Sequence, residues 1–72
     1  MKAKAMFEEL GYFHRETDYT IAYRNADGFW IEFHKYDQVF YNVQEEIDMS
    51  LLKAINQQCK ELGWLDEKRK NI

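Results

Sequence analysis

The chain has no proline, three glycines and a single cysteine among its 72 residues. One cysteine excludes a disulfide scaffold within the chain. Three isolated glycines exclude a phosphate-cradling loop, since neither G-x-G-x-x-G nor a P-loop can be spelled with them. No apolar run approaches the roughly 18 residues of a membrane span. The opening MKAKAMFEELGY turns acidic at once, so no signal peptide is expected. Positive charge is also short: ten Lys and Arg stand against thirteen Asp and Glu, for a net charge of -3. A chain that wraps phosphate backbones should be basic instead. Linker-like and low-complexity stretches are missing, and the length leaves room for one core only. What the chain does have is aromatic side chains, 17% of its residues, which disordered sequences lack. These features lead to the expectation of a soluble, cytoplasmic, single domain over residues 1–65 with a charged tail over 66–72.

Gly11, Gly28 and Gly63 punctuate the sequence into a short helix, a strand-rich middle and a longer helix. Over Lys2 to Leu10, the residues Ala3, Met6, Phe7 and Leu10 fall at i, i+3, i+4 and i+7, the stripe of an amphipathic helix. Its lysines precede its glutamates, the unfavourable order for the helix dipole, so it must rely on packing. Asp48 is a good N-cap for a second helix over Met49 to Leu62, with Leu52, Ile55, Cys59 and Leu62 as its stripe and Leu51 widening it. The two helix ends read alike: Phe7-Glu-Glu-Leu-Gly-Tyr12 and Cys59-Lys-Glu-Leu-Gly-Trp64. A Schellman cap explains the glycine and the following aromatic together. It predicts that Tyr12 folds back on Phe7 and Trp64 on Cys59.

The middle alternates with period two over Tyr19 to Arg24, Phe29 to His34 and Gln38 to Gln44. Asn25 to Gly28 and Lys35 to Asp37 supply turn chemistry between these runs. Pairing the odd positions gives three apolar layers: Tyr23, Phe29 and Val43; Ile21, Ile31 and Tyr41; Tyr19, Phe33 and Val39. The expected fold is α+β: a two-layer α-β-β-β-α domain, with a three-stranded antiparallel meander and both helices packed on its odd face. The even face is polar except for Trp30 and Phe40, which this register sets diagonally on neighbouring strands.

Little in the sequence points to catalysis or to a metal. Cys59 lies on an apolar helix stripe, where a free cysteine behaves as a small hydrophobe. Ser50 belongs to a first helical turn. His34 and Asp37 flank a tight turn and His14 could add a third ligand, but structural zinc sites carry more Cys and His at tighter spacing. The acidic pairs Glu8-Glu9, Glu45-Glu46 and Asp66-Glu67 are adjacent residues that do not face one another on a helix. No enzyme, metal or cofactor is expected. Lys68-Arg69-Lys70 reads as a solvated tail.

The remaining feature is the even sheet face. A Trp and a Phe on an otherwise solvated face make an apolar patch of the kind that marks interfaces. The candidate interaction residues are Trp30, Phe40, Ala22, Arg24 and Glu32. The expected partner is a second copy of the chain or another protein. Single-stranded nucleic acid stacking on the same face is the alternative, favoured by Arg24 and the aromatics and opposed by the acidic charge.

The stretch Ala5-Met-Phe-Glu-Glu-Leu-Gly-Tyr12, the runs Ile21 to Tyr23 and Ile31-Glu-Phe33, and Leu52-Lys-Ala-Ile55 with Glu61-Leu-Gly-Trp64 together resemble a family of small proteins of unassigned function. These are carried by prophages, phages and mobile elements of Gram-positive bacteria. The resemblance covers about residues 3 to 65. Where members often carry Thr or Ser followed by acids, this chain has Asp48 followed by Met49-Ser-Leu51. The resemblance implies a cytoplasmic protein of bacterial or phage origin and brings no functional residues with it.

Overall fold

The computed structural model describes residues 1–43 and 46–65. The element order is α1 (Ala3–Glu9), β1 (Phe13–Glu16), β2 (Thr20–Arg24), β3 (Trp30–His34), β4 (Val39–Asn42) and α2 (Met49–Glu61). The four strands form one antiparallel sheet in the order β1-β2-β3-β4. The α+β class and the two helices are as expected, but the sheet has four strands rather than three. Gln44, Glu45 and the tail from Asp66 onward, where the basic cluster lies, fall outside the described residues.

The helix ends follow the expected capping. After α1, the amide of Gly11 donates to the Glu8 carbonyl and that of Tyr12 to Phe7, each at 3.0 Å. After α2, Gly63 donates to Lys60 and Trp64 to Cys59, at 3.0 and 2.9 Å. This is the paired bonding of a Schellman motif, which needs a left-handed residue at the glycine; φ is 90° at Gly11 and 79° at Gly63. The Tyr12 ring meets Phe7 edge-on at 5.8 Å. Trp64 packs against the core, 6.1 Å from the Phe33 ring. At the start of α2, the Asp48 side chain accepts from the Leu51 amide at 2.8 Å. Helix α1 has no side-chain cap of its own. Glu61 at the far end of α2 supplies one, accepting from the Ala3 amide at 2.7 Å. That carboxylate offsets the unfavourable charge order of α1 and ties the two helices together.

The core is one cluster between the helices and one face of the sheet: Ala3, Phe7 and Tyr12; Ile21, Tyr23, Ile31 and Phe33; Leu51, Ala54, Ile55 and Cys59. Phe7 stacks on Tyr23 at 3.8 Å between centroids. The buried stripe of α2 runs Leu51, Ala54, Ile55, Gln58 and Cys59, so Leu52, expected inside, is exposed. Gln58 is buried because it accepts a 2.6 Å hydrogen bond from the Tyr23 hydroxyl, which offsets the cost of burying both polar groups.

Two registers differ from expectation. Strands β2 and β3 pair Ile21 with Phe33 and Tyr23 with Ile31. The expected register placed Ile21 opposite Ile31. That two-residue shift keeps every side chain on its face. Its cause is the hairpin loop: Asn25 and Phe29 still pair, and Gly28 at φ 88° closes a three-residue turn. Strands β3 and β4 pair Phe33 with Phe40 and Ile31 with Asn42, a shift of one. An odd shift turns a strand over. The loop here takes four residues, Lys35 to Gln38, with Gln38 left-handed at φ 57°. Phe40 therefore lies on the helix side, stacked on Phe33 at 5.5 Å. Val39, Tyr41 and Val43, expected in the core, are exposed, as are Tyr19 and Phe29.

Candidate functional site: the open sheet face

Neither helix covers the second face of the sheet. Antiparallel alternation places Phe13 and Arg15 of β1, Ala22 and Arg24 of β2, Trp30, Glu32 and His34 of β3, and Val39 and Tyr41 of β4 on it. Arg24 stands directly opposite Trp30, and Ala22 opposite Glu32. The amide of Asn25 donates to the Phe29 carbonyl. By alternation, the Arg24–Trp30 and Ala22–Glu32 pairs are therefore the closely spaced, non-hydrogen-bonded kind. Ala22, with only a methyl group, forms the floor of a shallow groove. Its other lining residues are Phe13, Arg15, Arg24, Gly28, Trp30 and Glu32, and its volume is about 380 Å³. Two arginines against one glutamate make this lining more positive than the chain as a whole.

Of the residues expected to form an interaction surface, Ala22, Arg24, Trp30 and Glu32 are brought together here. Phe40 is not; it occupies the opposite face with Phe33. Tyr41 takes the place expected for Phe40, opposite Glu32, with its ring edge-on to His34 at 5.0 Å. Glu32 Oε2 lies 2.8 Å from His34 Nε2, but the approach is off the line of a hydrogen bond. The short distance makes this an electrostatic contact, stronger when the imidazole is protonated. Phe13, Arg15 and Tyr41 were missed from sequence. The available signal for β1 was Thr17-Asp-Tyr-Thr20, a turn in which the Thr17 hydroxyl accepts from the amides of Tyr19 and Thr20.

The other chemical candidates disperse. His14 stands on the helix side beside Tyr23, and His34 on the open side, so they cannot share a metal. No group of three His, Cys, Asp or Glu among the described residues could hold one. The Cys59 thiol is buried, and burial pushes its pKa up, which keeps the nucleophilic thiolate scarce. A second groove of about 370 Å³ runs between the helices and β1, lined by Lys2, Lys4, His14, Glu16, Tyr23 and Glu61 among others. Burial raises the Tyr23 phenol well above its usual range, and the charges of Glu61, Glu16 and Glu8 add to that. Tyr23 is thus a structural hydrogen-bond donor. No described helix is long and apolar enough to cross a membrane.

Fold and face together define a two-layer α+β domain whose antiparallel sheet has one aromatic-bearing face that neither helix covers. Comparison with protein-family models, curated proteins and solved structures finds no match.

Proposed function

We propose that this chain is a non-enzymatic protein-interaction domain whose docking surface is the open sheet face around Trp30. The observation that carries the reading is the grouping of Phe13, Trp30 and Tyr41, all exposed, on one rigid face with Arg15, Arg24 and Glu32 among them. Trp, Tyr and Arg are the residues in which binding energy concentrates at interfaces. The mixed charge gives a partner its orientation, and the strands hold the side chains in place before binding. The suggested origin among proteins of phages and mobile elements of Gram-positive bacteria rests on sequence resemblance, as does the cytoplasmic setting.

A photo-crosslinking side chain placed at Phe13 should trap a discrete protein adduct in cells of the source organism. The same group at Leu52, on the exposed side of α2, should not. Equal labelling from both positions, or none from Phe13, would sink the reading. A second reading, single-stranded nucleic acid on the same face, is favoured by Arg15 and Arg24 flanking the aromatic groove. It requires Trp30 fluorescence to be quenched by mixed oligonucleotides at low salt and to recover as salt is added. Unchanged emission would dispose of it.

A further inference from the structure

The two edges of the sheet are unlike. Strand β1, Phe13–Glu16, carries a histidine, an arginine and a glutamate, and Lys35 bridges to Glu16 at 2.8 Å. Charges of this kind guard an edge against pairing. Strand β4, Val39–Asn42, carries no charge and no proline, and every residue in it is exposed. Apolar side chains stand on both its faces: Val39 and Tyr41 on one, Phe40 on the other. The amide of Val43 donates to the Trp30 carbonyl. Alternation from that bond turns the amide and carbonyl of Phe40 away from β3. A neutral, apolar edge with an outward-facing peptide group is a template for another strand.

From this geometry we infer that β4 is a self-association edge: two copies pair antiparallel through β4, centred on Phe40, giving a continuous eight-stranded sheet. The occupant is a second copy because the edge complements itself. A twofold axis at Phe40 lets each copy's Phe40 amide donate to the other's carbonyl. It sets Val39 against the second copy's Tyr41 and brings the two Phe40 rings together beside Phe33, with no like charges opposed. A foreign peptide would need side-chain pockets for specificity. Neither groove described above includes a β4 residue. The contact is small. The four residues of β4 span only about 13 Å, too short an edge to bury the roughly 800 Å² per partner of a standard interface. The dimer is therefore weak and concentration-dependent. The open faces stay free, so this goes beyond the docking surface and does not depend on it.

The test is solution mass by light scattering over a dilution series from roughly 1 mM to 1 μM, the span of weak dimers. The wild type should rise from 8.8 kDa towards twice that mass as it is concentrated. N-methylation of the Phe40 amide, in synthetic chain, removes only the outward hydrogen and should hold the chain monomeric. So should Val39→Lys with Tyr41→Lys, and Val39→Glu with Tyr41→Glu. Mixing those two variants should restore the doubled mass, since lysines then face glutamates. Near-UV circular dichroism checks that each variant is folded. Trp30→Ser should leave the dimer intact. A wild type monomeric at every concentration overturns the inference. So does a dimer that survives N-methylation of Phe40, or one lost in Trp30→Ser, which would place the contact on the open face.

Discussion

On the helix side of the sheet, Tyr23 and Phe33 are 1% and 0% exposed; one residue along the same or neighbouring strands, Trp30 and Phe13 are 41% and 68% exposed. The same strands thus hold two aromatic sets that differ in what lies over them. The inner set meets Phe7, Tyr12 and α2 and removes apolar surface from water, at about 1.5–3 kcal/mol per large side chain. The outer set meets solvent and leaves its contact energy unspent in the folded chain. Within the central strands β2 and β3, the side an aromatic takes follows parity along the strand, not residue type, whereas Phe40 on the edge strand lies on the helix side and is still exposed. Composition counts all twelve aromatics together; the fold assigns them opposite uses.

The sharpest way to break this comparison is to truncate one ring from each face. Phe33→Ala removes a fully buried ring that touches Phe7, Tyr23, Phe40 and Trp64. It should cost about 3–5 kcal/mol in urea unfolding, enough to unfold much of a small domain. Trp30→Ala on the open face should cost about 1 kcal/mol or less. Equal losses would mean that the outer face is core.

A smaller effect comes from the polar bond inside the inner set. Tyr23→Phe leaves the Gln58 carbonyl oxygen buried without its donor and should cost about 1–3 kcal/mol. The same variant tests a pH dependence. Burial and nearby carboxylates raise the Tyr23 pKa above its usual 10.0 in the folded chain. Burial raises Cys59 above its usual 9.0. Both groups stay protonated in the fold while the unfolded chain ionises. Their stabilisation is therefore complete below pH about 9 and is lost as pH rises through their folded values. Urea midpoints measured from about pH 8 to about pH 11 should fall, and Tyr23→Phe should flatten that fall above pH about 10. An identical slope in the variant would show that Tyr23 is not held protonated by burial.

What was legible in the sequence follows the range of the interactions. Helix spans, the Asp48 cap and both Leu-Gly-aromatic endings are set within a few residues, and they are found where the spacing predicts. The odd face of β2 and β3 was legible because Ile21, Tyr23, Ile31 and Phe33 alternate cleanly. Strand β1 was not: its one apolar residue, Phe13, points outward, and the remaining polar residues hide the period. Gln58 was invisible as a core residue because its burial depends on a partner 35 positions away, Tyr23. For the candidate face, Ala22, Arg24, Trp30 and Glu32 were readable together. Phe40 was misplaced and Tyr41 missed for one reason, a single extra loop residue before β4.

That loop residue allows the finest test. Gln38 adopts φ 57°, a region that costs a side chain roughly 1–2 kcal/mol per residue. Glycine enters it freely but gives up about 0.5–1 kcal/mol of backbone entropy. Gln38→Gly should therefore stabilise the chain by about 0.5–1 kcal/mol, read as a higher urea midpoint with unchanged slope. The gain is expected only if the loop runs over four residues with its last one left-handed. A three-residue loop would place Gln38 in the strand, where glycine weakens pairing and the midpoint would fall. It would also turn β4 over, returning Phe40 to the side of Trp30 and sending Val39 and Tyr41 under the helices. The sign of this small change thus reports which aromatics belong to which face.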